Sequence, residues 1–340
     1  HLVIPDQPDL VITYTIGNPA DLEKLLIELR RHTTADIIVP SIHWRERDIP
    51  LWGTSENAAD QDVAAVREVC RKYDVEFIEN RRDWAAYLTA NKLPVPALLK
   101  DAVHQSDYGA HIINSNILAH FRVPESFSYA PESRERLLQP EKQADGSFTA
   151  TFTGTRIDLH GMLSADGGTF HVLIDDKPAH ETDAWLMSYV QPDAKNAKEG
   201  KGANPRDQSP HGITLGKGIV PQSWTLVMTS DSGDYELTGS ITGPDGRGNA
   251  FQPFTSTSGQ IRIEPELWRR AERNRTGDRF TFDIKPAVMD EVSFTGTAEA
   301  PFVVRLTQSL ANTEHTLRLV PTKAGAAKIN ALRVFQPPGK

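Results

Sequence analysis

The stretch Leu10-Val-Ile-Thr-Tyr-Thr-Ile16 is short, apolar and β-branched, and Gly17 ends it. Such a run predicts a buried strand. Behind it, Asp21 can cap a helix in which leucines recur at helical spacing, and cationic side chains occupy the last turn, where they suit the helix dipole. The stretch therefore predicts a strand that leads directly into a helix.

The same alternation continues through the first third of the chain. Further strands are predicted at 35–42 and 75–78, and further helices at 59–73, 83–90 and 108–121. Strand–helix–strand alternation with short connections predicts a parallel sheet with helices on both faces. Only three strands are visible, whereas a doubly wound sheet normally has about five. We therefore expect its N-terminal strands to be missing from this chain.

The pattern changes from about Asp145 onward. Short runs of alternating apolar and polar residues follow one another, separated by Asp-Gly turn signals. Many short strands with such turns predict an antiparallel sandwich. We therefore predict a partial α/β domain over residues 1–124, a linker over 125–144 and an all-β sandwich over 145–340.

Composition and charge exclude several classes of protein. A net charge of -8 makes the chain a poor ligand for nucleic acid, because that affinity depends on neutralising phosphates. No run approaches the roughly 18 apolar residues of a membrane span. Cys70 is the only cysteine, so no intrachain disulfide can form, and its helical setting predicts a core position. We expect no metal, since no His, Asp or Glu cluster has metal-ligand spacing. We also expect no cofactor and no membrane partner.

A candidate acid–base pair lies just before the last predicted helix. The sequence reads Leu98-Leu-Lys-Asp-Ala-Val-His-Gln-Ser-Asp-Tyr-Gly109, which places His104 three residues after Asp101. A carboxylate can fix the tautomer of an imidazole, and the imidazole can then take a proton from a hydroxyl nucleophile. The simpler interpretation, a capping Asp beside a surface His, stays open on these residues alone.

Stretches in this part of the chain resemble motif blocks of the SGNH (GDSL) hydrolase family, in the family's order. The strand Pro8–Ile12, running to Gly17 and Asn18, resembles the third block. Residues Thr33–Val39 are similar to the strand that follows it. Asp101–His104, followed by a helix, resembles the last block. The resemblance covers about residues 8–122.

This resemblance implies a fold and a set of roles. The fold is a partial flavodoxin-like three-layer α/β/α domain, here followed by an all-β sandwich or jelly roll. The activity is that of an esterase or lipase, often one that deacetylates polysaccharides. Asp101 would orient His104, and His104 would act as general base. Gly17 and Asn18 would assist the oxyanion.

The chain departs from the family pattern in two places. The family's nucleophilic Ser lies in a Gly-Asp-Ser block on the first strand, and neither that block nor a Gly-x-Ser-x-Gly elbow is found here. We therefore expect the nucleophile to be missing from this chain and to come from upstream residues. Asn18 directly follows Gly17 instead of lying two residues on. Because Pro19 restricts Asn18 to extended geometry, a turn that leads into the helix is the alternative.

Two further groups of residues are candidates for substrate contact. His43 and Trp44 follow the carboxyl end of a predicted strand, where open α/β sheets bind ligands. The alternative is a salt-bridged surface loop with Trp44 packed beneath it. In the β part, aromatic residues form either a sugar-stacking platform or, as is commoner in sandwiches, core; they are Trp185, Tyr189, Trp224 and Trp268.

Taken together, these observations favour an SGNH-type esterase acting on acylated, most often acetylated, polysaccharide or oligosaccharide. The alternative is a catalytically inactive carbohydrate-binding or scaffold protein, and the closing strands resemble those of galactose-binding-like jelly rolls. A homo-oligomer or a complementing N-terminal segment is the expected way to complete the sheet, because its exposed edge invites pairing. By analogy with such esterases, we expect a secreted or periplasmic location.

Overall fold

The computed structural model describes residues 3–14, 18–51, 58–121, 134–191, 208–268, 270–323 and 325–338. The chain divides into two compact units. The first, here the α/β unit, comprises Pro8–Arg134 and the last residues Pro337–Lys340. The second, the β unit, comprises His1–Gln7 and Glu135–Gln336. The protein is thus of mixed α/β class with a large share of antiparallel strands.

The α/β unit contains a parallel sheet with the order β1-β2-β3. Its strands are β1 (Leu10–Ile12), β2 (Asp36–Pro40) and β3 (Glu76–Ile78). Its helices are α1 (Pro19–His32), α2 (Ala58–Lys72), α3 (Asn80–Ala90) and α4 (Asp107–Leu118). The parallel pairing agrees with the strand–helix alternation of the sequence. The first strand is shorter than predicted, because it ends at Ile12 and Tyr14 already lies outside it.

Local chemistry explains how α1 packs within the α/β unit. Its leucines at helical spacing, Leu22, Leu26 and Leu29, are buried, as the periodicity requires. Arg30 is also buried and donates through Nε to the carbonyl of Tyr73 at 3.0 Å. Such a buried guanidinium is tolerated because its donors meet carbonyl oxygens.

Cys70 occupies the core position that its helical setting predicted. Its side chain on α2 is fully buried. Burial raises the pKa of the thiol to about 12, so the sulfur acts as a small apolar group and not as a nucleophile.

The β unit is antiparallel throughout its described strands. They are β4 (Glu135–Leu138), β5 (Glu141–Lys142), β6 (Phe148–Gly154), β7 (Arg156–Leu163), β8 (Thr169–Ile174), β9 (Lys177–Pro178), β10 (Leu186–Gln191), β11 (Thr214–Leu215), β12 (Ser223–Met228), β13 (Asp234–Gly239), β14 (Gly243–Asn249), β15 (Phe254–Thr255), β16 (Ile261–Ile263), β17 (Arg279–Pro286), β18 (Glu291–Ser293), β19 (Ala300–Thr307), β20 (Thr313–Lys323) and β21 (Lys328–Phe335).

Two apolar cores organise these strands. One core draws on the sheet β18-β8-β20-β6-β5 and on the sheet β19-β7-β21-β4. The other draws on the sheet β10-β17-β12-β13-β14 and on β11-β16-β15. Alternation of buried and exposed side chains along strands such as β12 and β17 produces these one-sided faces.

The segment 125–144, predicted as a linker, contains two of these strands. β4 pairs with β21, near the other end of the chain, and β5 pairs with β6. Residues 135–138 and 141–142 of the predicted linker are therefore strands. For β4 the reason is that pairing with a distant strand leaves no signal in so short a segment. Among the described helices, none is long and apolar enough to cross a membrane.

Candidate active site

The loop that carries Asp101 and His104 is closed by backbone hydrogen bonds. Leu99 and Gln105 form an antiparallel bridge across its base. The N–H of Lys100 donates to the carbonyl of His104 at 3.0 Å. The loop is thus a tight, hairpin-like turn that presents both side chains together.

The carboxylate of Asp101 holds both the ring and the backbone of the turn. Nδ1 of His104 lies 2.9 Å from Oδ2 and 3.0 Å from Oδ1 of Asp101. Oδ1 also accepts the backbone N–H of His104 at 2.7 Å and of Val103 at 2.8 Å. These two backbone N–H groups, followed by the His104 ring, hold the pKa of Asp101 well below its usual range. Asp101 is therefore a carboxylate at neutral pH.

The outer nitrogen of the His104 ring is accessible. The His104 side chain is 62% exposed, and within the described part of the chain Nε2 has no hydrogen-bond partner. Because the carboxylate accepts from Nδ1–H, neutral His104 carries its free lone pair on Nε2. The pair can therefore accept a proton from a group that approaches Nε2.

A close approach between backbone segments sets the start of α4 behind this turn. Ser106 caps the helix, its Oγ accepting the N–H of Gly109 at 3.2 Å. A Cβ at Gly109 would lie 2.3 Å from the carbonyl oxygen of Leu98 and 2.7 Å from the ring of Trp84. Only glycine therefore allows α4 to begin directly below the Asp101–His104 turn.

His43, expected to line the substrate site, lies instead beneath the turn. Its side chain is buried, with 3% exposure. Nε2 lies 2.8 Å from the carbonyl oxygen of Val103, and Nδ1 lies 2.6 Å from the hydroxyl of Tyr14. Both ring nitrogens are thus occupied, and the expected contact with substrate does not agree with this position.

Trp44 is also buried, and a charged network covers it. The guanidinium carbon of Arg81 lies 3.7 Å from the centre of the Trp44 ring. Arg81 Nη1 donates to Asp48 Oδ2 at 3.2 Å, and Arg45 Nε donates to the same oxygen at 3.1 Å. Although burial opposes ionisation, the hydrogen bonds from Arg45 hold the pKa of Asp48 below its usual value. The arrangement matches the salt-bridged loop that the sequence left as the alternative.

Asn18 acts as the N-cap of α1. Its Oδ1 accepts the N–H of Asp21 at 2.9 Å, and Pro19 occupies the first helical turn. The turn that leads into the helix, left open by the sequence, is therefore formed. Gly17, the other expected oxyanion residue, lies outside the described residues.

Serines near the pair are committed elsewhere. Ser106 Oγ caps α4, and Ser41 is buried with its Oγ accepting the N–H of Arg81 at 2.9 Å. In the part of the chain that the structure describes, no serine hydroxyl is hydrogen-bonded to His104. The same residues contain no group of three or more His, Cys, Asp or Glu placed to hold a metal ion.

An aromatic cluster at the start of α4 was not singled out in the sequence. Tyr108 is 53% exposed, and its hydroxyl accepts that of Tyr87 at 2.7 Å. The rings of Tyr108 and His111 are stacked, with centres 6.0 Å apart. The sequence contains one signal for this cluster, because Tyr108 and His111 are three residues apart on one helix and so lie on the same face. Tyr87 comes from α3 and could not be assigned to the cluster from sequence.

Of the aromatic residues that could form a sugar-stacking platform in the β unit, Trp224 and Trp268 are buried in its core.

A depression of about 800 Å³ lies in the α/β unit, and its lining includes neither Asp101 nor His104. Several of the charged side chains that line it form ion pairs. Arg134 contacts Asp36 at 3.2 Å and Asp74 at 3.3 Å, and His120 contacts Glu76. His120 and Glu76 also form a pair of imidazole and carboxylate, but the His120 side chain is 23% exposed whereas that of His104 is 62% exposed, so the Asp101–His104 turn is the better candidate.

No family model and no curated protein matches the chain. Among solved structures, the chain is similar to an acetylxylan esterase from Geobacillus stearothermophilus, with 20% identity over 36% of this chain and 65% of that one and a TM-score of 0.30. It is also similar to a two-domain esterase active on acetylated mannans, with 10% identity over 98% of this chain and 74% of that one and a TM-score of 0.27. The chain thus spans 65% of the length of the acetylxylan esterase.

Proposed function

We propose that this chain provides the acid–base pair of an SGNH-type serine esterase that acts on acylated, in particular acetylated, carbohydrate. The observation that carries the proposal is the hydrogen bond of 2.9 Å between His104 Nδ1 and the ionised Asp101, on a His104 side chain that is 62% exposed. This is the relation between carboxylate and imidazole that acyl transfer by a hydroxyl nucleophile requires.

The mechanism follows from that geometry. Nε2 of His104 takes the proton of a serine hydroxyl as its oxygen attacks the ester carbonyl, and Asp101 stabilises the imidazolium that forms. The imidazolium then gives the proton to the sugar oxygen of the ester, which leaves as a hydroxyl when its bond to the acyl carbon breaks. Water repeats the two steps on the acyl-enzyme and releases the acid.

In this proposal Asn18 assists the oxyanion through its amide nitrogen. The N-cap uses only Oδ1 of Asn18, so the side-chain NH2 keeps its donors for a developing negative charge. The backbone N–H of Gly17 is the second donor in this scheme.

The serine in this proposal is supplied by a segment other than the printed residues, either an N-terminal segment or another protomer. Support comes from the described serines, since Ser106 and Ser41 already cap or buttress helices. The edge of the parallel sheet supports it as well. Leu10 and Ile12 of β1 are exposed, although parallel strands are usually covered.

The aromatic cluster of Tyr87, Tyr108 and His111 supports a carbohydrate substrate. Amphipathic rings of this kind offer an apolar face to a sugar ring and a polar tip to its hydroxyls. Helices α3 and α4 run antiparallel, because Asn80 pairs with Asn116 at one end and Tyr87 with Tyr108 at the other. Since Tyr108 lies four residues after His104, the cluster adjoins the catalytic turn.

In this proposal the β unit is a sandwich or jelly-roll module that holds the polysaccharide. The enzyme would be secreted or periplasmic.

The test measures hydrolysis of p-nitrophenyl acetate and labelling by a fluorophosphonate. Both are measured for the product of the natural gene and for a protein of these 340 residues alone. We expect turnover by the gene product, loss of turnover in His104→Ala, and one labelled serine outside the printed residues. His32→Ala, a histidine of the same unit on α1 whose side chain is 49% exposed, is the matched control and should keep full turnover. A label within the printed residues would overturn the external nucleophile but not the esterase.

Absence of both turnover and label in the natural product would overturn the esterase proposal. The Asp101–His104 pair would then be a structural turn, and the chain a carbohydrate-binding or scaffold protein.

A further inference from the structure

We infer that His43 is a positioning residue that fixes the Asp101–His104 turn from below, an inference that rests on the proposed function. The two segments are 60 residues apart in sequence, yet Nε2 of His43 lies 2.8 Å from the carbonyl oxygen of Val103. Val103 lies between the two members of the pair, so this contact reaches the centre of the turn.

The contacts determine the tautomer of His43. A carbonyl oxygen only accepts, so Nε2 must carry the proton that is donated to Val103. Burial lowers the pKa of His43 below its usual value and keeps the ring neutral. Nδ1 is therefore an acceptor, and Tyr14 donates its hydroxyl proton to it at 2.6 Å. Burial raises the pKa of Tyr14 to about 12, so this donor keeps its proton at every pH of interest.

A second hydrogen bond supports the neighbouring residue of the turn. The N–H of Glu46 donates to the carbonyl of Ala102 at 3.0 Å. The segment that follows β2 therefore holds two successive carbonyls, those of Ala102 and Val103. Arg81 in turn fixes this segment, because its Nη1 donates to the carbonyl of His43 at 3.3 Å.

Fixing these peptides fixes the carboxylate. Asp101 Oδ1 accepts the N–H groups of Val103 and His104. The Val103 carbonyl and the His104 N–H belong to one planar peptide. If that peptide tilts, the bond from the His104 N–H to Asp101 lengthens and the carboxylate loses its alignment with the His104 ring. A misplacement of about 1 Å at a reacting group can cost roughly 10²-fold in rate.

The test compares His43→Leu with His43→Gln. Leu removes the donor at similar volume, whereas the side-chain nitrogen of Gln takes the place of Nε2 and can still donate to Val103. In the Leu variant we expect kcat to fall by roughly 10²-fold with KM unchanged. We also expect faster amide exchange at Val103 and His104, and a pKa of Asp101 that rises toward its usual value. The Gln variant should restore most of each effect.

Two results separate this inference from a merely structural role and from the proposed function. A folded Leu variant whose amide exchange at Val103 and His104 and whose Asp101 titration equal those of the wild type would overturn the inference. These two readouts need no turnover, so a chain without esterase activity overturns only the proposed function. Where the Leu variant does not fold, Tyr14→Phe decides by the same readouts, and an unchanged Asp101 titration there rejects the role.

Discussion

Asp101 holds His104 twice, through the ring Nδ1 at 2.9 Å and through the backbone N–H at 2.7 Å. The backbone bond ties the carboxylate to the turn itself. The backbone of the turn therefore fixes the carboxylate independently of the imidazole, and the ring hydrogen-bonds to a partner that is already fixed. Such preorganisation is what an acid–base pair needs, because alignment is not recovered during the reaction.

The titration of Asp101 should survive loss of the imidazole. The backbone N–H groups of His104 and Val103 are the larger causes of its lowered pKa, and the ring comes after them. In His104→Ala, carboxyl NMR should still show Asp101 ionised below the ordinary Asp value of about 3.9. Because the folded pKa is lowered, its contribution to stability is complete above that value and is lost as pH falls below it. Titration near the ordinary value in this variant would mean that the ring, and not the turn, holds the carboxylate.

Gly109→Ala should destabilise the α/β unit by about 1–3 kcal/mol. The new Cβ would meet the Leu98 carbonyl oxygen at 2.3 Å, which forces α4 away from the turn. Urea unfolding of the two variants Gly109→Ala and Asn114→Ala measures the effect, since Asn114 is exposed on the same helix. An equal, small change in both would show that α4 tolerates a side chain at this position.

Arg81→Leu should cost about 3 kcal/mol of unfolding free energy, because it leaves the buried Asp48 with one guanidinium partner fewer. Arg82→Leu is the matched control, since that side chain is 71% exposed and its ion pair with Asp83 is worth at most about 1 kcal/mol. The pKa of Asp48 is lowered, so the wild type should lose this contribution as pH falls below the ordinary Asp value of about 3.9. Similar urea midpoints for the two variants would contradict a stabilising network over Trp44.

Tyr108→Ala should weaken binding of a xylo- or manno-oligosaccharide by about tenfold, the equivalent of ~1.4 kcal/mol. The loss reflects removal of an exposed ring from the aromatic cluster that adjoins the Asp101–His104 turn. Isothermal titration calorimetry gives the Kd, and Phe121→Ala, which removes an exposed aromatic ring of the same α/β unit, is the control. Equal affinities in the wild type and Tyr108→Ala would place the sugar elsewhere.

Much of the α/β unit was predictable because its signals are local. Apolar β-branched runs and leucine spacing gave the parallel strands and α1, and the three-residue spacing of Asp101 and His104 gave the turn. The contact between His43 and Val103 was not predictable, since it joins residues 60 apart and depends on how two loops pack. The burial of Trp44 beneath Arg81 was not predictable for the same reason. This burial favours a structural role for Trp44 over the expected contact with substrate.

The strands of the former linker show the same limit. β4 is short and carries charged residues, and what makes it a strand is its pairing with β21 almost 200 positions later. Pattern within a few residues carries no information on such a partner.

We propose that Asp101 and His104 act as the acid–base pair on a carbohydrate ester. The most direct test of this proposal is acetate release from acetylated xylo- and manno-oligosaccharides by the natural gene product and by its Asp101→Asn variant, both checked for an unchanged fold by circular dichroism. We expect kcat to fall by about 10⁴-fold, since an amide in place of the carboxylate favours the wrong tautomer of His104. Acetate release by Asp101→Asn at the wild-type rate would contradict the proposal.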